Sequence, residues 1–324
     1  MSRADDGQPQ SRPERIVRWL ARLSGRGRPR SPRTDRVLLA IAAAVFVIAT
    51  GWAWQQVPPE ERSFSVGWLA VAFTLALVTL LMNALEFSVS AELRGFRSPT
   101  QNSWRVSVLG SAANLLPVPG AVVVRAQALR QLGERTSGAV IVTGLVGLVW
   151  VATAAVAAGF LVLTTPSHRT LGATFLGVGA MTIIASVAVL RRGGGQCSTL
   201  TRLIAIEFAS VLVSGLRLYA VARAADLPVD LPAALTISLG GILSHVVGIF
   251  PGGLGLKELV SGAFGALVGV AASVGVLASA LDRLVVYGAL AVAAVPLVIV
   301  GRRSADHTEG TVEVTDAAQD SEHP

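Results

Sequence analysis

Long apolar runs separated by short polar breaks fill the chain from Val37 to Val300. A helix needs about 20 apolar residues to cross roughly 30 Å of bilayer hydrocarbon. Six runs meet that need: Val37–Gln56, Ser65–Leu85, Gly138–Leu163, Leu171–Leu190, Leu203–Ala222 and Ser273–Val300. The pattern predicts an all-α, polytopic integral membrane bundle.

Two regions interrupt the pattern, Arg105–Gly133 and Leu231–Gly269. In the first, apolar arms Trp104–Leu116 and Ala121–Leu132 flank Pro117-Val118-Pro119-Gly120. Twelve helical residues reach about 18 Å, too short to cross. Arg94, Arg97 and Arg105 precede the arms, and Arg130, Glu134 and Arg135 follow. A re-entrant hairpin opening to the cytoplasm fits, as does an amphipathic pair lying on the surface. In the second region, Leu231–Phe250 and Leu254–Gly269 flank Pro251-Gly252-Gly253. Two spans or a second hairpin both fit. The expected total is about six full spans plus two broken helical hairpins, about eight membrane segments. Pro119-Gly120 and Arg125 match the spacing of Pro251-Gly252 and Lys257. That is the pattern of an inverted repeat, which in transporters marks the substrate site.

Charge gives the orientation. Residues 1–36 hold ten Arg against Asp5, Asp6, Glu14 and Asp35, with Pro and Ser interleaved. Such a segment is expected to be disordered. An Arg block beside the first span places the N-terminus in the cytoplasm. Arg191, Arg192 and Arg202 then fall inside, and few Arg fall outside (Arg62, Arg169, Arg223). Residues 37–300 form the expected membrane domain, in the cell membrane. Residues 301–324 form a second cytoplasmic tail, expected to be disordered, where six acidic residues follow Arg302 and Arg303.

Composition agrees. Of 324 residues, 52% are apolar and only 15% charged, against about 25% charged in a soluble domain. One cysteine, Cys197, excludes an internal disulfide. The basic tail carries no nucleic-acid motif, so anionic lipid headgroups are the expected partner rather than nucleic acid.

Ionisable groups inside spans cost roughly 2.5–3.5 kcal/mol each at the bilayer centre and need partners. Glu207 and Arg217 lie in one run, about 15 Å apart along a helix, too far to pair. Asp282 and Arg283 lie in another, about 100° apart, so they seek different partners. Glu86, Asn83 and His245 add polar points. Each is either interhelical glue or part of a site. The most informative stretch is PGGLGLKE, Pro251–Glu258. Pro251, Gly252, Gly253 and Gly255 break one helix and a new one starts. Its N-terminus favours an anion, and Lys257 is placed to contact it. Glu258 is free to pair with Arg283 or Arg217. A tight turn with Lys257 snorkelling to the interface is the plainer alternative. The four His lack metal-ligand spacing, and no nucleophile–base motif is present. No metal, cofactor or enzymatic activity is expected.

The run Phe250–Val298, with PGGLGLKE and the later Asp282-Arg283, resembles the lysylphosphatidylglycerol synthase transmembrane (flippase-like) domain family. The match to its Pro-Gly-Gly-x-Gly-x-[Arg/Lys]-Glu turn rests on Pro251, Gly252, Gly253, Gly255, Lys257 and Glu258, with Arg283 one helix later. Upstream, NLLPVPGAVVVRAQALRQLG is similar to the family's first hairpin, with Asn114, Pro117 and Arg125 in place. The resemblance covers roughly residues 37–300. Ala121-Val122 replace a common Gly-Glu pair, and Lys257 replaces the usual Arg. The resemblance implies a stand-alone membrane domain without the aminoacyl-transferase domain, and lysyl transfer is not implied. The implied function is binding and translocation of a phospholipid or lipid-linked substrate. Lys257 and Arg125 would hold the headgroup, and Asp282, Arg283, Glu258, Arg217 and Glu207 would line the cavity. A non-transporting partner of a glycosyltransferase or cell-envelope enzyme, or a small-solute or ion transporter, stays open. So does a homo-oligomer.

Overall fold

The computed structural model describes residues 64–114, 120–244 and 255–319, plus isolated positions 48, 51 and 55, with side chains as far as 297. Apart from those isolated positions, the expected span Val37–Gln56 and the Arg-rich segment lie outside the described residues. So do His245, Pro117, Pro119, Pro251, Gly252 and Gly253.

Five described helices are long and apolar enough to cross a membrane, and they match the five remaining expected runs. These are α1 (Val66–Glu92), α4 (Thr136–Leu163), α5 (Arg169–Arg192), α6 (Cys197–Ala224) and α9 (Ala272–Gln319). Four are shorter: α2 (Thr100–Ala113), α3 (Gly120–Gln131), α7 (Leu231–Leu243) and α8 (Leu256–Leu267). No strand occurs among the described residues. The helices overrun the apolar windows because capping and backbone bonding, not hydropathy, end a helix. The last one passes Pro296 and continues to Gln319, into the acidic segment whose composition predicts no regular structure. Extending an existing helix costs far less than nucleating one.

Ends of the bundle are defined by bonds between helix termini. The Ser65 N–H donates to the Ala224 carbonyl at 2.8 Å, joining the start of α1 to the end of α6. At the other end Arg202 pairs with Glu92 at 2.7 Å. These two helices are therefore antiparallel. Arg94 also belongs to that second end. Its Nε and Nη2 donate to Glu134 at 2.8 and 3.0 Å, and its Nη1 to the Gly193 carbonyl at 3.3 Å. The connections 93–99, 132–135 and 193–196 thus meet at one end. Arg97, Arg135, Arg191 and Arg192 lie in or beside them. At the opposite end, α4 turns into α5 and α6 into α7. There the described chain carries only Arg169 and Arg223 as Arg or Lys residues.

The short helices form two pairs, α2 with α3 and α7 with α8. The first pair starts and finishes at the basic end. The second opens at the other end, where Ala233 and Ala234 pack with Leu218, Ala222 and Leu227 in one apolar cluster. Within the α2–α3 pair the approach is close. A Cβ on Gly120 would collide with the Ala113 carbonyl. The first turn of α3 is also tied to the end of α2, since the Ala121 N–H donates to Asn114 Oδ1 at 2.9 Å.

The outer surface is apolar. On α5, Met181 is 72% and Ile184 68% exposed, a surface that fits lipid better than water. The fold is an all-helical bundle of the kind expected for a membrane protein.

The Arg94–Glu134 clamp gives a prediction outside the apolar core. The hydrogen bond from Arg94 holds the Glu134 carboxyl below its ordinary pKa. A depressed carboxylate stabilises the fold above its unfolded pKa and loses that contribution as pH falls through the folded one. Glu134→Gln should cost about 1.5–3 kcal/mol at neutral pH. Thermal unfolding of both proteins across pH should show the difference shrinking on acidification below the ordinary carboxylate range.

Candidate functional site

Every ionisable residue expected to line a site is buried or half-buried within the helices. They form two sets, spaced along α6 by the ten residues from Glu207 to Arg217, about 15 Å.

The first set lies nearer the basic end. Arg125, in the second turn of α3, donates to Glu86 of α1 through Nη1 at 2.5 Å and Nη2 at 2.9 Å. This fork-to-fork pairing is the strongest geometry open to a guanidinium. Glu207 of α6 stands within electrostatic range of both. It is 1% exposed, and its Oε1 has no hydrogen-bond partner among the described residues.

The second set lies at the middle of α1. Arg217 of α6 donates through Nε to Asp282 Oδ1 at 2.6 Å and through Nη2 to Oδ2 at 3.2 Å. Its Nη1 donates to Thr79 Oγ1 of α1 at 2.6 Å. Lys257 Nζ reaches the same Asp282 Oδ2 at 3.3 Å. On the neighbouring position of each helix, Arg283 of α9 pairs with Glu258 of α8 at 2.7 Å. The two pairs tie α8 to α9 and extend through Arg217 to α6 and α1.

Local sequence explains how α8 brings its charges here. Gly255 has φ +78°, a left-handed conformation that a glycine adopts without strain. It caps α8. Its N–H donates to Glu258 Oε2 at 2.8 Å. Glu258 thus caps its own helix with one oxygen and neutralises Arg283 with the other. Lys257 and Glu258 stand in the first turn, as the PGGLGLKE pattern predicts.

Several expectations are resolved by these contacts. Asp282 and Arg283 take different partners, as their angular separation requires. Glu258 chooses Arg283 rather than Arg217. Arg125 and Lys257 are each engaged by a carboxylate, and their partners fall in different sets. The seven residues therefore surround two centres instead of one. Glu86 and Thr79 join them. Glu86 was legible as a carboxylate in an apolar run, whereas Thr79 gave no signal, because a threonine in a membrane helix ordinarily bonds its own backbone. Thr79 does that too, donating to the Leu75 carbonyl at 2.9 Å.

The charges are unequally shared. Three cations meet two carboxylates in the second set, and one cation meets two carboxylates in the first. Lys257 is the most accessible member of the second set, with 19% of its side chain exposed against 7% or less for the other four. No group of His, Cys, Asp and Glu among the described residues has the arrangement of a metal site. The chain matches no protein-family model, and no curated protein matches it in sequence.

Proposed function

We propose that this protein binds an anionic phospholipid or lipid-linked headgroup and moves it between the two leaflets of the cell membrane. The observation that carries the reading is the second set of charges. It sits halfway along a membrane-length helix with one cation in excess of its carboxylates. A buried excess charge is expensive without a partner. A phosphate headgroup supplies one negative charge, and Lys257, the most accessible cation, is held by the longest contact.

Two further features support translocation. The two short-helix pairs open at opposite ends of the bundle, which supports reading them as re-entrant hairpins of an inverted repeat. Each would give a headgroup a route from one leaflet. The basic end, rich in Arg, faces the cytoplasm under the positive-inside rule. The resemblance to the flippase-like domain family points the same way. Arg125 is already held by Glu86, in a set with more carboxylates than cations, so Lys257 carries the headgroup contact in this reading.

Reconstituted proteoliposomes with a fluorescent phosphatidylglycerol provide the test. The wild-type chain should accelerate exchange between leaflets. Lys257→Ala should slow it roughly tenfold or more, the loss expected for one charge-assisted contact of about 1.5–3 kcal/mol. The variant must retain the wild-type melting temperature. Equal rates would sink the role of Lys257. No lipid movement by the wild-type chain would leave the reading of a non-transporting partner of an envelope enzyme.

A further inference from the structure

The charge imbalance around Arg125 has its own consequence. Arg125 is one guanidinium between two buried carboxylates. Both of its Nη atoms face Glu86, at 2.5 and 2.9 Å. Glu207 receives neither. Its side chain is 1% exposed, and its Oε1 is buried without a hydrogen-bond partner among the described residues.

Among the described residues nothing else compensates Glu207. Six described elements bear on it. On α1 the charged groups are Glu86 and Glu92, and Arg202 holds Glu92. On α3 the nearby cation is Arg125, already paired. Neither α4 nor α7 carries a titratable side chain. On α9 the described titratable groups are Asp282, bound to Arg217 and Lys257, Arg283, paired with Glu258, and Tyr287, whose hydroxyl accepts from Arg283 at 3.4 Å. On α6 itself Arg217 is bound to Asp282. An uncompensated carboxylate in such a place takes up a proton rather than bear its charge.

We infer that Glu207 is a proton-binding site inside the bundle, with Glu86 and Arg125 as its switch. In the loaded state Glu207 carries the proton and Arg125 pairs with Glu86. In the unloaded state the Glu207 O–H bond breaks and the electron pair stays on the carboxylate. The proton leaves to water past the partly exposed Arg125. Arg125 is then shared between two carboxylates, and α3 with it. The first short-helix pair thereby becomes sensitive to the pH on the side it opens to. The site stands whether or not the chain moves lipid.

Infrared titration of the full-length purified chain reads the proton directly, through the carbonyl stretch of a protonated carboxyl. Wild type should show this band at neutral pH and lose it on alkalinisation. Glu207→Gln should lack the band while keeping the wild-type melting temperature, because a glutamine has the shape of the protonated acid. Glu86→Gln should also lose the band, since Arg125 is then free to pair with an ionised Glu207. Two results would overturn the inference. One is a wild-type spectrum without the band at neutral pH. The other is a band that survives in Glu207→Gln. The signal is independent of any transport assay, so failure of lipid movement leaves the proton site standing, and loss of the proton site leaves Lys257 untouched.

Discussion

Asp282→Asn should be the most damaging single substitution in the chain. Asp282 compensates two cations at once, Arg217 through two hydrogen bonds and Lys257 through a third. It is 2% exposed. Asparagine keeps the shape but removes the charge, and its amide offers one acceptor oxygen where the carboxylate offered two. Removing one partner of a buried pair costs about 3–5 kcal/mol, because the other charge remains buried. Here two are left, so the loss belongs at or above the upper end of that range. Thermal unfolding in detergent measures it. Adding Lys257→Met to Asp282→Asn should recover part of the loss, since one of the two stranded cations is gone. If Asp282→Asn unfolds like wild type, the second set does not hold the bundle together.

The same residues show what the sequence could and could not say. Local features were readable. The left-handed turn at Gly255 and the start of the helix carrying Lys257 and Glu258 follow from backbone chemistry within a few residues. The divergence of Asp282 and Arg283 follows from helix periodicity alone. The five described membrane-length helices follow from long apolar runs, although their ends extend past them. The pairing of Arg125 with Glu86 was not readable. The two stand 39 positions apart on helices joined by another short helix. Only the packing of α1, α2 and α3 decides that they meet. The same is true of Thr79, whose role depends on α1 lying against α6. Rarity is what made the charged residues conspicuous, since a bilayer tolerates few of them. Rarity does not say which pairs with which. A single cavity lined by all seven was the simplest expectation. The ten residues between Glu207 and Arg217 already limited it, because both could not reach one point from the same helix.

Glu258 allows the cost of a lost charge to be separated from that of a lost cap. One oxygen accepts from the Gly255 N–H at 2.8 Å, and the other faces Arg283 at 2.7 Å. Glutamine can still accept the Gly255 bond through its amide oxygen, but it cannot neutralise Arg283. Glu258→Gln should therefore cost about 3–5 kcal/mol, the penalty for stranding a buried guanidinium. Glu258→Ala should cost about 1 kcal/mol more, the usual worth of a helix N-terminal capping bond. Glu258→Gln combined with Arg283→Met removes both charges and keeps the cap. A buried ion pair replaced as a unit is often neutral in stability, so this double variant should melt close to wild type. Thermal unfolding of the three variants decides the matter. If the double variant is as unstable as Glu258→Gln alone, then Arg283 is not what Glu258 compensates.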